Sequence, residues 1–232
     1  SVDEGLAVML DNQAEAIPAI RLGLSSIVQA VTAIHARLAR GRGRLIYAGA
    51  GTSARIAVQD GAELLPTFDF PADRVAFVIA GGVEALLRPV ENAEDSAAAA
   101  ASQIADLALQ PDDCLVALAA SGRTPFTLAV VAAANAAGAL TVGISNNRGA
   151  PLETTAEIAI VLDTGAEALA GSTRLKAATA QKICLNLIST QVMTQLGHVR
   201  NGLMVSMMPR NEKLRHRKRE IEAQLAADDA SG

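Results

Sequence analysis

The run Arg44-Leu45-Ile46-Tyr47-Ala48-Gly49-Ala50-Gly51-Thr52-Ser53 carries the first clear structural signal in the chain. Its apolar part, Arg44–Ala48, breaks off into glycine and hydroxyl residues, and a helix-compatible stretch, Ser53–Leu64, follows. Short apolar runs bounded by turn residues read as buried strands, here leading through a tight loop into a helix. The same pattern repeats downstream. Further strands are predicted at Arg74–Ala80, Asp113–Ala119, Leu140–Ser145 and Glu157–Leu162, and helices at Glu91–Leu107, Pro125–Ala137 and Thr173–Leu196. Alternation at these spacings gives right-handed crossovers and an α/β fold with a doubly wound, mostly parallel five-stranded sheet. In such a sheet, loops at the carboxyl ends of the strands are where a ligand binds.

Upstream of the first strand, Ile20, Leu24, Ile27, Val31, Ile34 and Leu38 recur at three- and four-residue spacing. That period predicts one helix over Asn12–Ala39, kinked or started at Pro18 and ended by Gly41-Arg42-Gly43. Downstream, the charge-dense Arg210–Glu222 reads as a solvated terminal helix and Asp228–Gly232 as a frayed end. The expected division is a helical N-terminal extension (1–43), a ligand-binding domain (44–197) and a helical tail (198–232).

The 232 residues, 50% hydrophobic and 19% charged, supply one large domain with helical additions. Only 2% are aromatic and none is Trp, so stacking platforms for single-stranded nucleic acid are not expected. A net charge of -4 and a pI near 5.4 argue against nucleic acid or an anionic membrane as partner. Cys114 and Cys184 lie far apart without CxxC spacing, which excludes a disulfide scaffold and fits a reducing cytoplasm. The apolar runs are short, and Asp3, Glu4 and Asp11 stand where a signal peptide would be basic. A cytoplasmic protein is expected.

Three loops share one chemistry. Gly49-Ala50-Gly51-Thr52-Ser53 follows the first strand, Ser121-Gly122-Arg123-Thr124-Pro125 follows the third, and Gly171-Ser172-Thr173-Arg174-Leu175-Lys176 opens the long helix after the fifth. Glycine lets the backbone approach an anion closely, amides at a helix start point outward, and hydroxyls add short donors. Lys176 offers a charge. The first loop lacks the third glycine of a dinucleotide fingerprint, where Arg55 and Ile56 stand, and the Gly-Lys-Thr ending of a nucleotide P-loop. Taken singly, it also suits a plain strand-to-helix turn capped by Thr52 or Ser53. Three such loops in one sheet point to a phosphorylated small molecule, with no metal needed. His35, His198 and His216 have no partners at metal-ligand spacing, and Met204, Met207 and Met208 read as packing.

The loops resemble those of the sugar isomerase (SIS) domain, a flavodoxin-like fold. More narrowly, Gly49-Ala50-Gly51-Thr52-Ser53-Ala54-Arg55, Ile79-Ala80-Gly81-Gly82, Glu91-Asn92-Ala93-Glu94-Asp95 and Ala120-Ser121-Gly122-Arg123-Thr124 resemble the N-acetylmuramic acid 6-phosphate etherase family. So do Gly171-Ser172-Thr173-Arg174-Leu175-Lys176-Ala177, Thr179-Ala180-Gln181-Lys182 and Asn211-Glu212-Lys213-Leu214-Arg215, in family order over residues 12–217. The resemblance implies a cofactor-free lyase that converts a phosphorylated amino sugar, N-acetylmuramic acid 6-phosphate, into N-acetylglucosamine 6-phosphate and D-lactate. It implies a homodimer with its site at the subunit interface. It also implies substrate contacts from Gly51, Thr52, Ser53, Ser121, Gly122, Arg123, Thr124, Glu167, Ser172, Thr173 and Lys176.

Carried over, Glu63 resembles the family's proton donor and Glu94 its second acid/base residue. The chemistry removes the C2 proton beside the open-chain aldehyde, protonates the departing lactate oxygen and adds water back. One carboxylate and one carboxylic acid suffice. Glu94, with Glu91 and Asp95, is expected in the first turn of a helix, where the dipole favours carboxylates. On an unbroken helix from Ser53, Glu63 lies about 15 Å along the axis from the phosphate loop, so it is expected to serve a partner's pocket. Ala54, Gly61 and Leu64-Leu65 depart from the family pattern, and the sequence stops before the family's C-terminal helical subdomain. Two other functions fit the same loops: a non-catalytic regulator like glucokinase regulatory protein, and an aldose–ketose phosphosugar isomerase.

Overall fold

Five apolar runs pair into one sheet in the computed structural model, which describes residues 1–209 and 212–231. The strands are β1 (Leu45–Gly49), β2 (Val75–Ile79), β3 (Cys114–Leu118), β4 (Leu140–Ser145) and β5 (Ile158–Val161), all parallel in the order β2-β1-β3-β4-β5. Strand residues point alternately to the two faces, and each face has its own helical cover. Leu45 and Tyr47 of β1 join one core cluster, and Ile46 and Ala48 join the other.

Ten helices surround this sheet among the described residues: α1 (Val2–Ala14), α2 (Ala16–Leu22), α3 (Leu24–Leu38), α4 (Gly51–Ala62), α5 (Leu64–Phe68), α6 (Ala97–Leu107), α7 (Pro125–Ala136), α8 (Pro151–Thr155), α9 (Lys176–Gln195) and α10 (Glu212–Ser231). One face is covered by α3, α4 and α9, through Ile27, Ile34, Ala57, Leu185 and Ile188. The opposite face is covered by α6, α7 and α8, through Ile104, Phe126, Val130 and Leu152. A small hairpin, β6 (Val199–Arg200) with β7 (Leu203–Met204), follows α9.

Several boundaries differ from expectation. The predicted N-terminal helix is three helices, bent by 61° at the break between Leu22 and Leu24. The predicted helix from Glu91 starts only at Ala97, because Asn92 is left-handed (φ 57°) and Ser96 caps α6 by accepting from the Ala99 amide. Glu94 therefore sits on a separate turn, Ala93–Asp95, outside that helix. The long helix starts at Lys176 rather than Thr173, and α10 continues to Ser231 where fraying is predicted. Arg210 and Asn211 of the charged segment, and Gly232, lie outside the described residues.

At the amino-terminal edge of the sheet, Arg44 grips the buried Asp113 with Nη2–Oδ2 at 2.6 Å and Nε–Oδ1 at 3.2 Å. Burial pushes the Asp113 pKa upward, but hydrogen bonds from Arg44 and from the Gln110 and Arg44 amides outweigh it and hold the carboxyl below its ordinary value. This clamp fixes β1 against β3 at the end away from the glycine- and hydroxyl-rich loops that follow them.

Candidate active site

β1 and β3 are neighbours at the point where the chain order of the sheet reverses, and a crevice opens outside their carboxyl ends. Two helices begin there. Ala50, the residue capping α4, has no side-chain oxygen to offer, and the Thr124 side chain makes no capping bond to α7. Both helix starts thus present unspent amides and the positive ends of their dipoles to the same space. Gly51 (φ 55°) and Gly122 (φ 63°) make the turns; a Cβ at Gly122 would also stand 2.5 Å from the Ala150 methyl. The resulting cavity, about 300 Å³, is lined by Thr52, Ser53, Ser121, Thr124, Thr173 and Glu94, with Gly51 and Gly171 at its walls.

A second lobe of about 350 Å³ adjoins the first and shares Ala50, Gly51, Thr52 and Glu94 with it. Its further walls include Arg55, Ala85, Val90 and Glu91. Glu94 stands at the junction of the two.

The hydroxyls are not equivalent. Ser121 Oγ accepts from the Arg123 amide (3.2 Å), which leaves its own proton free to donate. Ser53 Oγ donates to Gln181 Oε1 (2.8 Å), Gln181 Nε2 donates to Asn146 Oδ1 (3.0 Å), and Asn146 Nδ2 donates to the Leu162 and Ala177 carbonyls. Ser53 can therefore only accept from a ligand while that relay is intact.

Other expected contacts lie elsewhere. Gly122, Arg123 and Ser172 do not line either lobe. Glu167 accepts from the Lys176 and Ala177 amides at 3.0 and 2.9 Å, so it closes the amino end of α9. Lys176 is fully buried, and its ammonium is spent on Glu15 and the Ala166 carbonyl (2.9 Å). In this chain both act as structural ties for the third loop, because the start of α9 and Glu15, at the junction of α1 and α2, claim them first.

Glu63 is exposed at the far end of α4, where it lines a polar depression of about 170 Å³ with Gln59, Lys182 and Asn186. Twelve residues of helix put it about 18 Å from Gly51. Within one chain Glu63 and Glu94 are not brought together. Sequence reading missed the group that seats this end: Asp60, buried, accepts from Tyr47 Oη (2.8 Å), Asn186 Nδ2 (2.7 Å) and Ser189 Oγ (3.0 Å). Burial and the adjacent Asp60 carboxylate push the Tyr47 pKa well up. The only available signal was an aspartate on the apolar side of α4.

No group of three or more His, Cys, Asp or Glu able to hold a metal occurs among the described residues. Burial raises both thiols, Cys114 and Cys184, to about 12, which keeps them protonated and unreactive. No single helix among the described residues is long and apolar enough to cross a membrane.

Two family models match: the glucokinase regulatory protein N-terminal SIS domain over residues 26–135 and the SIS domain over residues 89–190. The chain is 44% identical to an N-acetylmuramic acid 6-phosphate etherase of Deinococcus radiodurans, covering 98% of this chain and 74% of that protein. It is 46% identical to one of Streptomyces coelicolor, covering 97% and 73%. Among solved structures, a phosphoheptose isomerase from Francisella tularensis superposes with a TM-score of 0.60 at 21% identity, over 86% of this chain and 99% of that one. The last likeness bears on the fold alone.

Proposed function

Because the chain belongs to the N-acetylmuramic acid 6-phosphate etherase family, we propose that it is a carbon–oxygen lyase whose site is the crevice between α4 and α7. The substrate is N-acetylmuramic acid 6-phosphate, and the products are N-acetylglucosamine 6-phosphate and D-lactate. The observation that carries this reading is the meeting of two helix starts without side-chain caps, with Glu94 on the wall beside them.

The phosphate sits in the first lobe, taking hydrogen bonds from the α4 and α7 amides and from Ser121 and Thr124. That places the C2–C3 end of the open-chain sugar at the junction, beside Glu94. Glu94 removes the C2 proton, the C3–O bond breaks, and a carboxylic acid gives its proton to the departing lactate oxygen. Water then adds at C3 of the unsaturated aldehyde while C2 regains a proton, which returns both carboxyl groups to their starting states.

Glu63 is the proton donor, supplied by the second subunit of a homodimer. Its distance from Glu94 in one chain and its exposure support this. So do the apolar side chains that face outward on the N-terminal helices, Leu6, Leu10, Leu22 and Val28 among them, and an apolar groove of about 470 Å³ between α3 and α9. The first test is direct: the purified protein incubated with N-acetylmuramic acid 6-phosphate releases D-lactate. Ketose formation, or tight sugar-phosphate binding without lactate, is the contrary result.

A further inference from the structure

The second lobe is larger than a phosphate grip requires, and its charge is unusual. Among its lining residues Arg55 is the one cation, and Glu91 and Glu94 are two carboxylates. Arg55 is pinned rather than loose: Nε donates to the Leu86 carbonyl and Nη2 to the Ala85 carbonyl, both at 3.0 Å. Carbonyls fix its orientation without neutralising it. Among the described residues Arg55 makes no ion pair, and Nη1 has no protein partner.

We propose that Arg55 and the apolar wall made by Ala85, Pro89 and Val90 form a subsite for the carboxylate and methyl of the substrate's lactyl group. This rests on the etherase reading and adds to it the element that recognises the leaving group. With the phosphate in the first lobe and C2–C3 at Glu94, the C3 substituent points away from C6 and into the second lobe. An anionic lactyl group entering beside Glu91 and Glu94 is repelled unless a cation offsets them, and a pinned guanidinium supplies that cation without further ordering cost. The apolar wall suits a methyl and would leave a polar substituent unpaired.

The experiment compares two ligands that differ only in the lactyl group. Calorimetric affinities for N-acetylmuramic acid 6-phosphate and N-acetylglucosamine 6-phosphate are measured in a Glu94→Gln background, which slows turnover, with and without Arg55→Gln. Arg55→Gln weakens the lactyl-bearing ligand by roughly tenfold or more and the lactyl-free one by less than about twofold. Arg55→Lys, which keeps the charge but loses the planar fork, falls between. A substrate analogue with its lactyl carboxylate converted to an amide is insensitive to Arg55→Gln.

Equal weakening of both ligands would make Arg55 a mere strut for residues 83–86 and overturn the subsite, as would an unchanged affinity for the lactyl-bearing ligand. Lactate release by the unmodified protein judges the etherase reading separately, so either can fail without the other.

Discussion

Thr124 and Ser121 are hydroxyls left available by their own surroundings, and they should matter more than Ser53, which is tied to Gln181. Thr124→Val removes a donor to phosphate while keeping the shape, and is expected to weaken N-acetylglucosamine 6-phosphate about tenfold by calorimetry. Glu94→Gln should reduce lactate release by roughly 10²–10⁴-fold while the same ligand still binds, because general acid–base catalysis is worth about that much. Asp60 is a different case. Asp60→Ala strands Tyr47, Asn186 and Ser189 around a hole and is expected to cost about 3 kcal/mol in chemical denaturation. Tyr47→Phe removes one of its three partners and should cost less.

Helix ends divide this molecule's chemistry. The starts of α4 and α7 lack side-chain caps and face the crevice, whereas the start of α9 is closed by Glu167. Glu167→Gln is accordingly expected to lower stability by about 1 kcal/mol and to leave phosphosugar affinity within about twofold; a large affinity loss would restore the substrate contact that the family resemblance implies. The Arg44–Asp113 clamp makes a pH prediction. Its carboxyl titrates below the ordinary value of 3.8, so the stability it contributes is fully present above that pH and is lost as the pH falls through the lower, folded value. The denaturation midpoint of the wild type should therefore fall more steeply below pH 3.8 than that of Asp113→Asn, which lacks the titrating group.

The strands were legible because parallel strands buried on both faces are uninterrupted apolar runs, and all five predicted runs pair. The first two loops were legible because glycine and hydroxyl residues fall directly after such runs. The start of α6 was not, because Glu91 to Asp95 is compatible with a first helical turn and only the left-handed Asn92 breaks it. The fates of Glu167 and Lys176 were hidden for a similar reason. Lys176 finds Glu15, 161 positions away, and no local pattern announces such a pairing.

The doubly wound sheet brings the starts of α4 and α7 together by topology, yet one chain holds its two candidate catalytic carboxylates at opposite ends of α4. On the proposed mechanism, complete chemistry requires a second copy, oriented so that its Glu63 end meets this crevice. The outward apolar side chains of α1 to α3 give such a pairing something to bury. The decisive measurement mixes two inactive variants, Glu63→Gln and Glu94→Gln, after joint unfolding and refolding, and follows D-lactate release. A site shared across the dimer regains about one quarter of wild-type activity, because half the dimers are mixed and each of those has one intact site. A mixture as dead as its parents would contradict the shared site.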